Sequence, residues 1–412
     1  MIRQIAALAF IFLCTTIAWM ILGGTISSRT GSSNEQLQGH VASTWGTPQE
    51  QTPPTAAYTI TEVRNVARWE NGASVVHAEK VETQVPVGLS ASRVQVDFHL
   101  DPRQKGLLWY STYQVQFAGD YSFRNDTAES QTFCFRFKFP AQKALYDGLL
   151  MQVNGNRISP TTDDQGANGQ AVVGPGETSV FHIAYRSQGL SSWRYKLGDG
   201  VAQAHDFTLN MKTNFKDIDF ADDTLSPTAK QRTADGWDLT WHYSDLISGF
   251  QIGMTMPEKL QPGPLAGEIS YAAPISLFFF FFLMFIITTM RNIDLHPMNY
   301  FFLATAFFAF HLLLAYLVDH ISIHAAMVIA SVVSIALVVS YLRLVVGIRF
   351  AALWAGTAQL IYLVVFSYAF FWKGFTGLAI TVISVITLFV VMQATGRIRW
   401  SERFAGRQAQ RS

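Results

Sequence analysis

Between Tyr271 and Arg399 the chain carries about 130 residues that are almost continuously apolar. Tyr271 to Met290 opens the stretch and holds five consecutive phenylalanines, Phe278 to Phe282. Four further runs follow at roughly 300–318, 323–346, 350–371 and 374–394, each about the 20 residues that cross a hydrocarbon core. A soluble helix of that length would need a polar outer face, and these runs have none. Lipid offers no partner to backbone N–H and C=O groups, so each run must satisfy its own and is expected to be helical. The Phe278–Phe282 stripe covers all sides of its helix and reads as lipid-facing and packing surface. Gly374, Gly377 and Ala379 are expected to allow close helix contact.

Ile5 to Gly24 forms one more apolar run. It exceeds a signal-peptide core and is followed by Thr25-Ile26-Ser27-Ser28-Arg29, with no small-residue cleavage site, so a retained anchor is expected. Six transmembrane helices result. The short links then decide orientation. With the N-terminus inside, Arg3, Arg291, Arg343, Arg349 and the tail arginines Arg397, Arg399, Arg403, Arg407 and Arg411 all lie in the cytoplasm. Asp319, His320, His324 and Lys373 lie outside. Both termini are therefore expected in the cytoplasm, with Tyr300, Trp372 and Trp400 at the interfaces. The arginine-rich tail reads as topology plus contact with anionic lipid.

The segment 27–268 is too long for a loop and differs in composition, with mixed charge and abundant Gly, Thr, Ser and Asn. Thr132 to Phe139 alternates strictly, placing four phenylalanines on one face. Tyr113–Phe117, Val180–Tyr185 and Trp237–Tyr243 alternate as well. Turn signals at Asn71-Gly72, Asn154-Gly155, Gly174-Pro175-Gly176 and Asp235-Gly236 separate such runs. The pattern predicts an antiparallel, sandwich-like β domain inserted on the extracytoplasmic side. Pro53-Pro54 and 161–170 read as loops, and Pro257 to Gly267 as a linker. Ser27 to Trp45 reads as a helix continuing the first span. The organisation expected is thus an anchor over 1–26, a periplasmic β-rich domain over 27–268, a five-helix membrane domain over 269–396 and a basic cytoplasmic tail over 397–412.

Leu295-His-Pro-Met-Asn-Tyr300, the apolar run ending Leu317-Val318-Asp319-His320, Ile329-Ala330-Ser331, Tyr341-Leu342 before Gly347, and Thr395-Gly396-Arg397-Ile398-Arg399-Trp400 together resemble the CreD family. Ser43-Thr44-Trp45-Gly46-Thr47-Pro48-Gln49 is similar to that family's N-terminal stretch. The family consists of bacterial inner-membrane proteins linked to colicin tolerance and cell-envelope integrity. The chain departs from its pattern at Asn299 for Gln, Asp319 for Glu, Arg399 for Asp and His311 where an aromatic residue is expected. The resemblance implies a role in the envelope and supplies no catalytic residues.

Five polar residues stand out. His311 sits in the third helix, at a depth where ionisable groups usually face the bundle interior. A hydrogen-bonded neutral imidazole competes there with a proton- or ligand-handling role, and the former is favoured. Asp319, His320 and His324 cluster at the outer end of helices three and four. They are suitable metal ligands by type. The favoured alternative is an interfacial turn with Asp319 or Ser322 capping the next helix. His296 precedes Pro297, a residue suited to a first helical position, with Asp294 as the expected cap. The acidic run Asp217, Asp219, Asp222 and Asp223 lacks the glycine and glutamate of a calcium loop and reads as a solvated loop.

The chain contains no P-loop, GxGxxG, HExxH, nucleophile elbow or zinc-type cysteine pairing. Its charged share of 14% and net charge of +1 give no footprint for nucleic acid. Cys14 and Cys134 fall in unlike environments, so no structural disulfide is expected. The function expected is non-catalytic support of envelope integrity through the β domain. Membrane lipids and an unidentified envelope protein or cell-wall ligand would be its partners, with no cofactor and no assigned oligomeric state. Two alternatives stand beside it: a transporter or ligand-sensing receptor with a path near His311, and a metal-dependent enzyme at Asp319, His320 and His324.

Overall fold

A computed structural model describes residues 2–70, 73–105, 108–198, 200–372 and 374–396. The Asn71-Gly72 turn, Lys373, Trp400 and the tail arginines lie outside them. The chain forms two compact units, one of Met1–Gln36, Gly106–Leu108 and Leu260–Ser412, the other of Leu37–Lys105 and Trp109–Lys259.

The first unit is helical. Helix α1 (Ile2–Trp45) is followed, beyond the inserted unit, by α2 (Pro262–Met290), α3 (Pro297–Leu317) and α4 (Ile323–Val345). Two more complete it, α5 (Ile348–Phe371) and α6 (Thr376–Thr395). All six are long and apolar enough to cross a membrane. The links joining α2 through α6 are too short to re-cross about 30 Å of hydrocarbon, so successive spans alternate in direction. The core interleaves Phe280, Phe307, Phe310, Leu314, Met327 and Leu363, all fully buried. Within the phenylalanine stripe, Phe280 and Phe281 face this core while Phe278 is 53% exposed, so packing and lipid-facing roles divide along the helix.

Two expectations change here. The stretch Pro257–Gly267 is not all linker, because α2 begins at Pro262 and prolines fit a first helical turn, where their missing N–H costs nothing. Nor do Gly374 and Gly377 bring helices together. Gly374 is a turn residue with φ +82°, and a Cβ at either would meet nothing within 4 Å. The close helix contact lies instead at Gly263 and Gly267, four apart on α2. A Cβ on Gly263 would stand 2.7 Å from Thr30 Oγ1, and one on Gly267 would stand 3.4 Å from Ser27 Oγ. This is the small-xxx-small seam that lets membrane helices approach closely. Gly23 extends it, with the Tyr271 ring 3.0 Å from its Cβ position.

The second unit is a β sandwich. Its strands in chain order are β1 (Gln49–Gln51), β2 (Thr55–Glu70), β3 (Ala73–Val87), β4 (Leu89–Leu100), β5 (Arg103–Lys105), β6 (Leu108–Tyr110), β7 (Thr112–Arg124), β8 (Gln131–Lys138) and β9 (Tyr146–Val153). They continue as β10 (Asn156–Arg157), β11 (Thr161–Asp163), β12 (Gly166–Val173), β13 (Thr178–Leu190), β14 (Ser192–Tyr195), β15 (Ala202–Thr213), β16 (Ala229–Arg232), β17 (Trp237–Ser248) and β18 (Ile252–Thr255). An eight-stranded sheet runs β10-β9-β13-β7-β4-β15-β17-β16, and a five-stranded sheet runs β11-β12-β8-β2-β3. Phe133, Phe135 and Phe137 of β8 are fully buried, and Phe135 stacks on Phe181 of the larger sheet at 4.9 Å and 7°. The fourth phenylalanine, Phe139, falls past the strand and stacks on Tyr146 at 4.4 Å. Asn154 and Gly155 both adopt positive φ, as the two-residue hairpin between β9 and β10 requires.

Pairing is mostly antiparallel, with two exceptions. Strands β4 and β15 pair in parallel, as do β1 and β14. Each pair is far apart in sequence, so a long connection can bring the strands in running the same way. The 161–170 stretch is not a loop but the β11–β12 hairpin. Its turn is fixed by Asp163 Oδ1 accepting from the Gln165 N–H at 2.8 Å.

Candidate functional site

The C-terminal end of α3 is built around Arg29 of α1. Arg29 Nη1 lies 3.1 Å from Asp319 Oδ2. Its Nη2 donates to Asp319 Oδ1 and to the Ala315 carbonyl, each at 3.1 Å. Tyr316 places its ring 5.7 Å from the same guanidinium. A planar fork suits a carboxylate, and a cation beside the last carbonyls of a helix also meets the negative end of its dipole.

Asp319 therefore does not cap α4. Ser322 does, with its Oγ accepting from the Ala325 N–H at 3.4 Å. His320 precedes that cap in a turn, so it and His324 do not share a helical face. His324 stacks instead on Phe371 of α5 at 5.1 Å. Among the described residues no three His, Cys, Asp or Glu side chains come together as a metal set. The acidic run at 217–223 uses its backbone: the Asp219 carbonyl accepts from Thr255 N–H and the Asp223 carbonyl from Gln251 N–H.

His311 is 1% exposed and sits among aromatic rings. Trp19 meets it edge-on at 5.5 Å, Phe310 at 4.9 Å, and Phe307 is stacked at 6.4 Å. Its Nδ1 bonds the Phe307 carbonyl one turn back at 3.1 Å. His296, at the other end of α3, caps that helix. Its Nδ1 accepts from the Met298 N–H at 3.2 Å, which removes the need for Asp294 as cap. Of the five candidate residues, the fold brings Asp319 onto Arg29 and His311 onto Trp19, and leaves His296, His320 and His324 apart.

Sequence reading missed a polar relay inside the bundle. Gln359 Nε2 donates to Ser334 Oγ at 2.6 Å, and Ser334 Oγ donates to the Ala306 carbonyl at 2.6 Å. All of these lie in the buried interior. Gln359 is flanked by π-type turns at Ala351–Gly356 and Leu360–Val365. Such turns leave carbonyls out of the ordinary ladder, and Ser276 Oγ donates to one of them, Tyr362 O, at 2.5 Å. Tyr362 OH in turn meets Thr387 Oγ1 at 2.6 Å. A lone glutamine in an apolar run was the available signal.

In the β unit, the solvent face of the eight-stranded sheet holds a cleft of about 610 Å³ lined by Gln95, Asn210, Lys212, Lys230, Asp238 and Thr240. Thr240 Oγ1 donates to Asn210 Oδ1 at 3.0 Å, and Lys230 Nζ lies 5.0 Å from the Phe220 ring. The opposite face of the same strands is core, with Val94, Val96, Leu209, Met211 and Leu239 buried. Strict alternation thus presents amides, a hydroxyl and the Lys212 ammonium outward, whereas Lys230, opposite Leu239 in the β16–β17 pairing, turns to the other face and the Phe220 ring. Beneath them, burial pushes the phenols of Tyr113, Tyr121 and Tyr185 well above their ordinary value, and that of Tyr146 up to about 12.

Six apolar spans with an inserted β sandwich define a multi-pass membrane protein, its spans riveted by internal polar contacts. The chain belongs to the CreD family, described as inner membrane protein CreD, which matches residues 1–263 and 268–401. No curated protein matches it. A candidate nutrient binding protein from Legionella pneumophila resembles it at 12% identity and a TM-score of 0.37, covering 57% of this chain and 76% of that one. An M1 zinc metallopeptidase from Deinococcus radiodurans resembles it at 12% identity and a TM-score of 0.25. That likeness covers 41% of this chain and 42% of the peptidase.

Proposed function

We propose that this protein supports cell-envelope integrity by contact, with its β domain outside the cytoplasm and its helices serving as a rigid mount. The polar cleft on the eight-stranded sheet carries the reading. Lys212, the carboxamides of Gln95, Asn210 and Gln231, Asp238 and the Thr240 hydroxyl there suit a polar envelope ligand or protein surface. The mount is supported by how the bundle uses its polar atoms. Arg29, Asp319, His311, Ser334 and Gln359 all bond within it. Orientation follows from charge: Arg291, Arg343 and Arg349 lie at the end of the bundle bearing the α2–α3 and α4–α5 links. That end is the cytoplasmic one on this reading, which puts both termini in the cytoplasm and the insertion in the periplasm.

The test is complementation. Deletion should sensitise cells to detergents, cell-wall antibiotics or colicins, and the intact chain should restore resistance. A Lys212→Glu variant that accumulates normally should fail to do so. Unchanged sensitivity on deletion, or full rescue by that variant, would count against the reading. A topology reporter between Asp164 and Gln165 should be active only outside the cytoplasm.

A further inference from the structure

Strands β2 and β3 extend far past the sandwich. β2 pairs with β8 only over Thr55–Tyr58, yet pairs with β3 through Glu70. From Thr59 onward the hairpin is a two-stranded ribbon, about 40 Å long at roughly 3.4 Å per residue. Among the described residues no further strand joins it, and β3 is the outer strand of its sheet. A lone two-stranded ribbon is marginal in water, and its bare edge offers a row of unpaired backbone groups. Val63 on it is 64% exposed, and Glu79, Lys80 and Glu82 are exposed.

We propose that the β3 edge is a docking surface for a second copy of this chain, joined antiparallel with Val81 opposite the partner copy's Val81. Symmetry and charge together select that register. A two-fold axis normal to the ribbon keeps each side chain on its own face, and directly opposite residues share a face, so the axis must pass through a residue. Centring on Glu79, Lys80 or Glu82 would set like charges face to face. Centring on Thr83 pairs no opposite charges. Centring on Val81 places Lys80 opposite Glu82 twice, Glu79 opposite Thr83 twice, and valine against valine. The charges that keep this edge from pairing indiscriminately thereby specify one partner and one register. On β2 the corresponding charges, Glu62 and Arg64, already bind each other at 3.3 Å, and β8 occupies the start of that edge.

The experiment uses the full chain in detergent, with Cys14 and Cys134 replaced by serine. Cysteines are introduced singly at Val81, Thr83 and Val63, and oxidised with copper phenanthroline. Opposite residues lie about 5 Å apart, within disulfide reach, whereas Thr83 and its counterpart would be four positions out of step. The result expected is a covalent dimer for Val81→Cys and none for Thr83→Cys or Val63→Cys. Separately, Lys80→Glu should weaken self-association about tenfold by sedimentation, and Lys80→Glu with Glu82→Lys should restore it. Linking at Val63 instead, equal linking at all three sites, or a strictly monomeric wild-type chain would overturn the proposal. Loss of the edge contact would leave Lys212 and the polar cleft in place, so failure here and failure of the contact function are distinguishable.

Discussion

Arg29 and Asp319, 290 positions apart, meet through a two-pronged ion pair at 3.1 Å that ties the top of the first span to the end of the third. Arg29→Ala strands a half-buried carboxylate and frees the Ala315 carbonyl. Because Arg29 is 36% exposed, solvent discounts the pair, and a loss of about 1–2 kcal/mol is expected. Thermal unfolding of the detergent-solubilised chain checks it, and Asp319→Ala in the Arg29→Ala background should cost little more.

The α1–α2 seam admits no added carbon at Gly263, where a Cβ would stand 2.7 Å from Thr30 Oγ1. Gly263→Val should destabilise the bundle by about 1–3 kcal/mol. Thr30→Ala in the same chain should recover part of that loss in the same thermal measurement.

In the sandwich, Phe135 is fully buried and stacks on Phe181. Phe135→Ala should cost about 3–5 kcal/mol, read as loss of the β unit's near-ultraviolet dichroism at lower denaturant. Phe135→Leu should cost less.

His311 packs as an aromatic ring among aromatic rings. His311→Phe should therefore hold stability to within about 1.5 kcal/mol and preserve function in cells, while His311→Asp should not fold. Loss of function in stably folded His311→Phe would favour a path through this residue.

Tyr146 has its phenol held up to about 12, and Tyr113, Tyr121 and Tyr185 are also raised, in each case chiefly by burial. The unfolded chain ionises its phenols near pH 10. Between about pH 10 and 12 the folded state thus holds more protons than the unfolded one, so stability is full below pH 10 and falls as pH rises. Phenolate absorbance should show a late-titrating class that appears together with unfolding. A single transition near pH 10 without loss of structure would refute it.

The spans were legible because twenty apolar residues in lipid have one solution, and the β unit because Phe133, Phe135 and Phe137 alternate. Asp319 was legible as a polar group at a helix end, but its partner was not. A local rule offers a cap three residues on, whereas the choice of Arg29 depends on which helices become neighbours. Gly263 and Gly267 were misread for a similar reason. Glycine beside proline is a turn signal in water, and only the facing Thr30 turns it into a contact. The β4–β15 pairing joins strands about a hundred residues apart, which no local period encodes.

The insertion between α1 and α2 sets a timetable. About 216 residues separate Trp45 from Pro262, so a ribosome working at 5–20 residues per second needs on the order of 10–40 s to reach the second span. Throughout that interval the growing polypeptide hangs from a single leg. The sandwich has time to mature on that tether before the glycine zipper can close, so errors in its folding would arise before the membrane bundle exists.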